Sequence, residues 1–313
     1  MSHLVETMAY ANETPWHGLG NQLSARSAIS VWAKQAGMEW KIKESPVYFL
    51  PEDGTNHTAF DDQKVLYRSD TGAALSVVSQ RFQVVQPRDV LEFYRDLTKA
   101  HGFTLETAGV LKGGRKVWAL AKTNMTASIK GNDTINGYLL LATGCDGTLA
   151  TTAQFTSIRV VCNNTLAVAL KDRGVAVKVP HSTTFDPKAV KSQLGLSSSS
   201  WEDFVYQMKR LSERKLKNSE TEAFISELFT DPREKFTNER AMKKVLELYS
   251  GHGRGAELSS AKNTAFGLLN AVTEFVDHER RARSTDYRLD SAWFGTGANL
   301  KSDALAQAIA LIS

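Results

Sequence analysis

At Asp186 the apolar residues of this 313-residue chain change their period. Before that point they alternate, or run in short blocks cut by glycine turns. After it they recur every three to four residues. The first pattern belongs to strands paired through hairpins and the second to amphipathic helices. Strands and helices do not alternate as βαβ units, so a parallel doubly wound sheet is disfavoured. The expected fold class is α+β: an antiparallel, hairpin-rich sheet with packed helices, followed by a helical C-terminal part. The expected division is a β-rich core over 1–182 and a helical region over 183–313.

Turn chemistry places the hairpins. Lys112-Gly113-Gly114-Arg115 joins Phe103–Leu111 to Lys116–Lys122, because paired glycines supply the positive φ of a tight turn. Gly144-Cys145-Asp146-Gly147 joins Thr134–Thr143 to Thr148–Thr156, and Ser69-Asp70-Thr71-Gly72 joins Lys64–Arg68 to Ala73–Ser79. A strand broken at Pro46 is expected over Trp40–Leu50, another over Phe82–Val85 and a last one over Val175–Val179. Ser27–Ala36 reads as a short helix, and Pro87 opens a second. Ile158–Leu170 is expected to turn helical from about Cys162, with Asn163 or Asn164 as its N-cap. Later helices are expected over Pro187–Leu194 (capped by Asp186), around Trp201–Leu216, over Glu220–Phe229 and Arg233–Tyr249, on the Ala265–Val276 stripe, and over Ser302–Ile312.

Charge is informative through its distribution. The formal net charge is only +4. Yet the stretch 107–171 holds seven basic residues (Lys112, Arg115, Lys116, Lys122, Lys130, Arg159, Lys171) and two acids, Asp133 and Asp146. Seven cations against two acids permit a polyanion partner at the 112–116 turn, and a solvated hairpin explains the same cations equally well. The two cysteines, Cys145 and Cys162, exclude a disulfide framework and do not space as a zinc site. The longest apolar run, Tyr138–Ala142, is too short to span a bilayer, and the N-terminus has no secretory pattern. A cytoplasmic protein with no membrane partner is expected.

Other constellations carry a bland reading beside the chemical one. His17, within Thr14-Pro15-Trp16-His17-Gly18-Leu19-Gly20, could act as a ligand or base, but this is equally a loop anchored by Trp16. Cys145 and Asp146 could be nucleophile and metal ligand, and a plain turn explains both. Gly295 to Ser302 approaches a phosphate-binding loop, but Leu300 replaces its second glycine and no apolar strand precedes it, so it reads as a glycine turn before the last helix. The cations at Lys209–Lys217 and Arg280–Arg288 are interleaved with acids. Asp61-Asp62 and Asp277-His278-Glu279 match no metal spacing. No catalytic residue, metal or cofactor is assigned. Arg159 stands among apolar residues with no evident local partner, and is the strongest single candidate.

An ordered set of motifs resembles one family. It runs from Thr14-Pro15-Trp16-His17-Gly18-Leu19-Gly20 through Gly113-Gly114-Arg115-Lys116-Val117-Trp118, Gly144-Cys145-Asp146-Gly147 and Arg159-Val160-Val161-Cys162-Asn163-Asn164-Thr165-Leu166. Asn270–His278 and Trp293-Phe294-Gly295-Thr296-Gly297 complete it. This resembles the phage/plasmid-like protein family built on domain of unknown function 932, over nearly the whole chain. Membership implies a gene of phages, prophages or plasmids, and implies no catalytic mechanism. The architecture is also similar to that of the single-strand annealing proteins of phage recombination, the Red-beta and RecT group, by analogy only.

These readings converge on a non-enzymatic single-stranded DNA-binding protein of a phage or plasmid, acting in annealing or recombination as a homo-oligomer. The expected lining is Lys112, Arg115, Lys116, Arg159, Arg81 and Arg88; Phe82 and Trp118 could serve as stacking surfaces, with a place in the core the first expectation for both. The alternatives are a metal-dependent nuclease or other hydrolase using Asp146, His17 or Asp277, and a host-interaction protein that inhibits defence.

Overall fold

The structure is a computed structural model that describes residues 8–11, 20–24, 27–52, 54, 56–95, 97, 102–161, 164–168, 176–194, 198–231 and 236–313. It is α+β, with mostly antiparallel sheets and the helices concentrated in the C-terminal part. In chain order the strands are β1 (Met8–Ala11), β2 (Asn21–Leu23), β3 (Ile42–Phe49), β4 (Thr58–Arg68), β5 (Ala74–Ser79) and β6 (Thr104–Leu111). Then come β7 (Lys116–Lys130), β8 (Asp133–Gly144), β9 (Thr151–Arg159), β10 (Asn164–Ala167), β11 (Val177–Val179), β12 (Thr230–Asp231) and β13 (Phe236–Thr237). The helices are α1 (Ile29–Gln35), α2 (Pro87–Glu92), α3 (Pro187–Leu194), α4 (Ser198–Glu213), α5 (Asn218–Phe229), α6 (Glu239–Glu247), α7 (Ala265–Glu274), α8 (Thr285–Phe294) and α9 (Thr296–Ala310).

The chain forms two compact units. One comprises 1–123, 139–154 and 176–196, and the other 124–138, 155–175 and 197–313. The units are interleaved, where the sequence reading places one boundary near residue 182. Strands β7, β8 and β9 each contribute one part to each unit.

In the first unit, strands pair in the order β11-β9-β8-β7-β6-β1-β2, and β3-β4-β5 form a separate three-stranded sheet. Pro46 sits where the β3–β4 register shifts, as a residue without an N–H must at a bulge. Pro87 opens α2, and the Gln86 side chain ties this helix start to β3. Gln86 Oε1 accepts from Ile42 N at 2.9 Å and Nε2 donates to Ile42 O at 3.1 Å. Tyr94, fully buried, places its hydroxyl 2.7 Å from Ala119 O and 3.0 Å from Leu139 O, so its proton is shared between two strands. Asp186 caps α3 by accepting from Lys188 N and Ala189 N.

The second unit is centred on α7, whose residues are all buried except Asn270. Thr264 Oγ1 caps it by accepting from Gly267 N at 3.0 Å. The helix runs on into a wider turn, Phe275–Glu279, closed by Arg280 N donating to Phe275 O. Against this core lie β10 and the ends of β9 and β8.

Three expectations are corrected. Phe82–Val85 is irregular, not a strand. The helix expected from Cys162 is instead strand β10, which pairs antiparallel with β9 from Asn164↔Arg159 to Ala167↔Thr156. The glycine turn expected at 295–302 is the start of α9, which begins at Thr296 and follows a helix, α8, that periodicity did not reveal.

Candidate nucleic-acid interface

The basic turn between β6 and β7 has an unusual backbone. Lys112, Gly113 and Gly114 have φ of 53°, 68° and 104° in succession. Glycine carries the left-handed region at no steric cost, whereas Lys112 occupies it under strain. A Cβ on Gly114 would stand 3.1 Å from the Trp40 ring and 3.1 Å from Leu75 Cδ2, so a side chain here would have to press these neighbours aside by a few tenths of an ångström. The turn is held from two sides. Arg68 Nη1 donates to Gly113 O at 3.5 Å, and Cys145 N donates to Arg115 O at 2.8 Å.

Arg68 and Trp40 organise the surface beneath the turn. The guanidinium carbon of Arg68 lies 4.4 Å from the centroid of the Trp40 ring, a cation–π stack. Arg68 Nε and Nη2 donate to the two oxygens of Asp70 at 3.0 and 2.7 Å. That hydrogen bond, aided by the guanidinium charge, holds the Asp70 carboxyl below the usual carboxylate range. Trp40 Nε1 donates to Gly37 O at 2.7 Å, which fixes the ring plane. The same two side chains line an open cleft of about 480 Å³, with Lys34, Gly37, Glu39, Ser69 and Asp70.

The side chains expected to bind nucleic acid divide by environment. Arg115 is exposed and makes no ion pair among the described residues, and Lys112 is half-buried on the same turn. Arg81 is exposed on the bend after β5. Arg88 is exposed on α2, 3.4 Å from Glu92. Lys116 is buried at the start of β7 and presents no free ammonium surface.

Arg159 is a correction. It belongs to the second unit, is 3 % exposed, and its Nε and Nη2 grip Asp133 at 2.9 and 2.7 Å. Its Nη2 also donates to Gly255 O at 3.1 Å, and Ser260 Oγ donates to Asp133. A guanidinium so enclosed organises the interior rather than meeting a phosphate. Phe82 and Trp118 take the core reading. Trp118 is fully buried, and Phe82 stacks on His181 with centroids 4.2 Å apart.

The catalytic readings find these surroundings. Cys145 is buried, its Sγ faces the carbonyls of Gly114 and Arg115, and burial, reinforced by the Asp146 charge, pushes its thiol up to about 12. A thiol held protonated is a poor nucleophile. Asp146 accepts from Thr148 N and Oγ1, closing its own turn. Asp277 is buried and accepts from Lys301 Nζ at 2.8 Å and Thr165 N at 2.7 Å, so the lysine of the loop-like segment is an internal ion-pair partner. No group of three or more His, Cys, Asp or Glu able to hold a metal occurs among the described residues. His17 and Asn163 lie outside the described residues.

Sequence reasoning did not single out Trp40, Arg68 or Lys34. The available signal was the inward-facing series Lys64, Leu66 and Arg68 on β4, since cations on a buried strand face need partners.

The fold and this surface define an α+β protein whose basic, glycine-built turn is clamped at the side of an aromatic-walled cleft. The chain belongs to the family described as Domain of unknown function (DUF932), whose profile matches residues 74–293. No curated protein and no solved structure shows a significant match. No helix among the described residues is long and apolar enough to cross a membrane.

Proposed function

We propose that this chain is a non-enzymatic single-stranded DNA-binding protein, with the 112–115 turn and the Trp40–Arg68 cleft as its contact surface. The observation that supports it most is the Arg68 hydrogen bond to Gly113 O, which holds the Lys112–Arg115 cations beside the cleft that Arg68 itself lines. A pre-set turn loses little conformational freedom on meeting a phosphate. Arg115, Lys112 and Lys34 supply charge, with Arg81 and Arg88 as outlying contacts. Phosphate contacts of this kind leave base edges open to pair, which suits annealing for a phage or plasmid by several copies along one strand in the cytoplasm.

The test is fluorescence anisotropy of single- and double-stranded oligonucleotides across a salt series, with EDTA present. Tighter binding of single strands, weakening steeply with salt, supports the reading. Equal affinity of wild type and the Lys112→Asn/Arg115→Gln double variant at every salt concentration overturns it. Asn is chosen at 112 because it tolerates the left-handed backbone found there.

A further inference from the structure

The first half of β4 has no core beneath it. Residues 58–63 are exposed on both faces, whereas Lys64, Leu66 and Arg68 are buried. The β4–β5 pairing begins at Gln63↔Ser79, so Thr58 and Ala59 pair with β3 alone, through Phe49↔Thr58 and Tyr48↔Ala59, and the β3–β4 register shifts between Ala59 and Lys64. This end is a two-stranded ribbon whose far edge has no strand partner among the described residues. An isolated ribbon is marginal in water.

The ribbon end also carries four large apolar side chains in the open: Tyr48, Phe49, Leu50 and Phe60, exposed by 56, 50, 57 and 42 %. Phe49 faces Thr58 across the ladder, Tyr48 projects from the opposite face, and Phe60 follows Ala59 where the register shifts. Grouped exposure of this kind marks an interaction surface. The charge is one-sided as well. Segment 47–63 contains Glu52, Asp53, Asp61 and Asp62 and no Lys or Arg. Arg81 follows Gln80, which binds Asp62 O at the ribbon base. The nucleic-acid reading uses no residue of 47–63, so this surface does not depend on it.

We propose that the ribbon end is a docking edge for an extended segment of another protein in which Lys or Arg alternates with apolar residues. The partner strand would hydrogen-bond along the Thr58–Asp61 edge, lay its apolar side chains on Phe49 and Phe60, and set its cations against Asp61, Asp62 and Glu52. Backbone pairing supplies affinity in such strand addition, and the side chains supply selectivity.

The probe is a fluorescein-labelled ten-residue peptide alternating Lys and Val, titrated against the intact protein, with a Glu/Val peptide as control. Binding of the Lys/Val peptide alone is expected. A loss of about tenfold or more is expected in Phe49→Ser/Phe60→Ser and again in Asp61→Asn/Asp62→Asn. The acid variant keeps the apolar surface, so it decides the matter if the first variant melts early. Unchanged affinity in the acid variant overturns the proposal, as does equal binding of the Glu/Val peptide. Light scattering that shows a dimer dissolved by Phe49→Ser/Phe60→Ser also overturns it, since a second copy would then be the occupant. Capture by phosphatidylcholine vesicles through the same aromatics overturns it too.

Discussion

Arg159 and Asp133, 26 positions apart in the chain, meet as a buried ion pair in which Nη2 and Oδ2 are 2.7 Å apart and both side chains are almost wholly removed from solvent. Phe266 lies under the guanidinium, 5.2 Å from its carbon. Removing one partner leaves the other charge buried and unpaired. Asp133→Asn is therefore expected to destabilise the protein by about 3–5 kcal/mol. Urea unfolding of the variant checks it. A cost near zero would mean that solvent reaches the pair.

Gly114→Ala places a Cβ against Trp40 on a backbone with φ of 104°. A loss of about 1–3 kcal/mol is expected from the strained backbone alone. The same variant should weaken single-strand binding, because the turn and the cleft share Trp40. Calorimetric melting and anisotropy on one preparation test both effects.

For Lys112→Asn/Arg115→Gln, two phosphate contacts are lost. The slope of log K against log salt should become shallower by about 1.4 for a single strand. A variant that binds more weakly with an unchanged slope would place these side chains outside the phosphate contacts.

Cys145 should be inert to thiol reagents at pH 8 in the folded protein. In a Cys162→Ser background, Ellman's reagent is expected to count no thiol before denaturant and one after it. Folding favours the protonated form. The stability this contributes is intact below the ordinary thiol value of 9.0 and is lost as pH rises toward 12. Stoichiometric reaction of native protein at pH 8 would contradict the burial.

Much of the fold was legible because its signals are local. The Gly113-Gly114 turn, the Pro46 irregularity, Pro87 at a helix start and Asp186 as a cap each follow from one or two residues, and each stands in the structure. The errors arose where pairing decides. Residues 164–167 lie in an apolar run that fits helix or strand equally, and the choice is made by β9, which supplies the ladder. Arg159 looked uncompensated because composition counts charges along the chain, while Asp133, Ser260 and Gly255 reach it through space. Lys301 likewise has the local sequence of a phosphate-loop lysine, while Asp277 and Thr165 enclose it through space.

The polypeptide enters each compact unit three times, crossing within β7, β8 and β9 and again after residues 175 and 196. No single scission therefore liberates either half as a continuous fragment, and a gene truncated near its middle encodes neither. A single cut in the chain therefore never separates the two units.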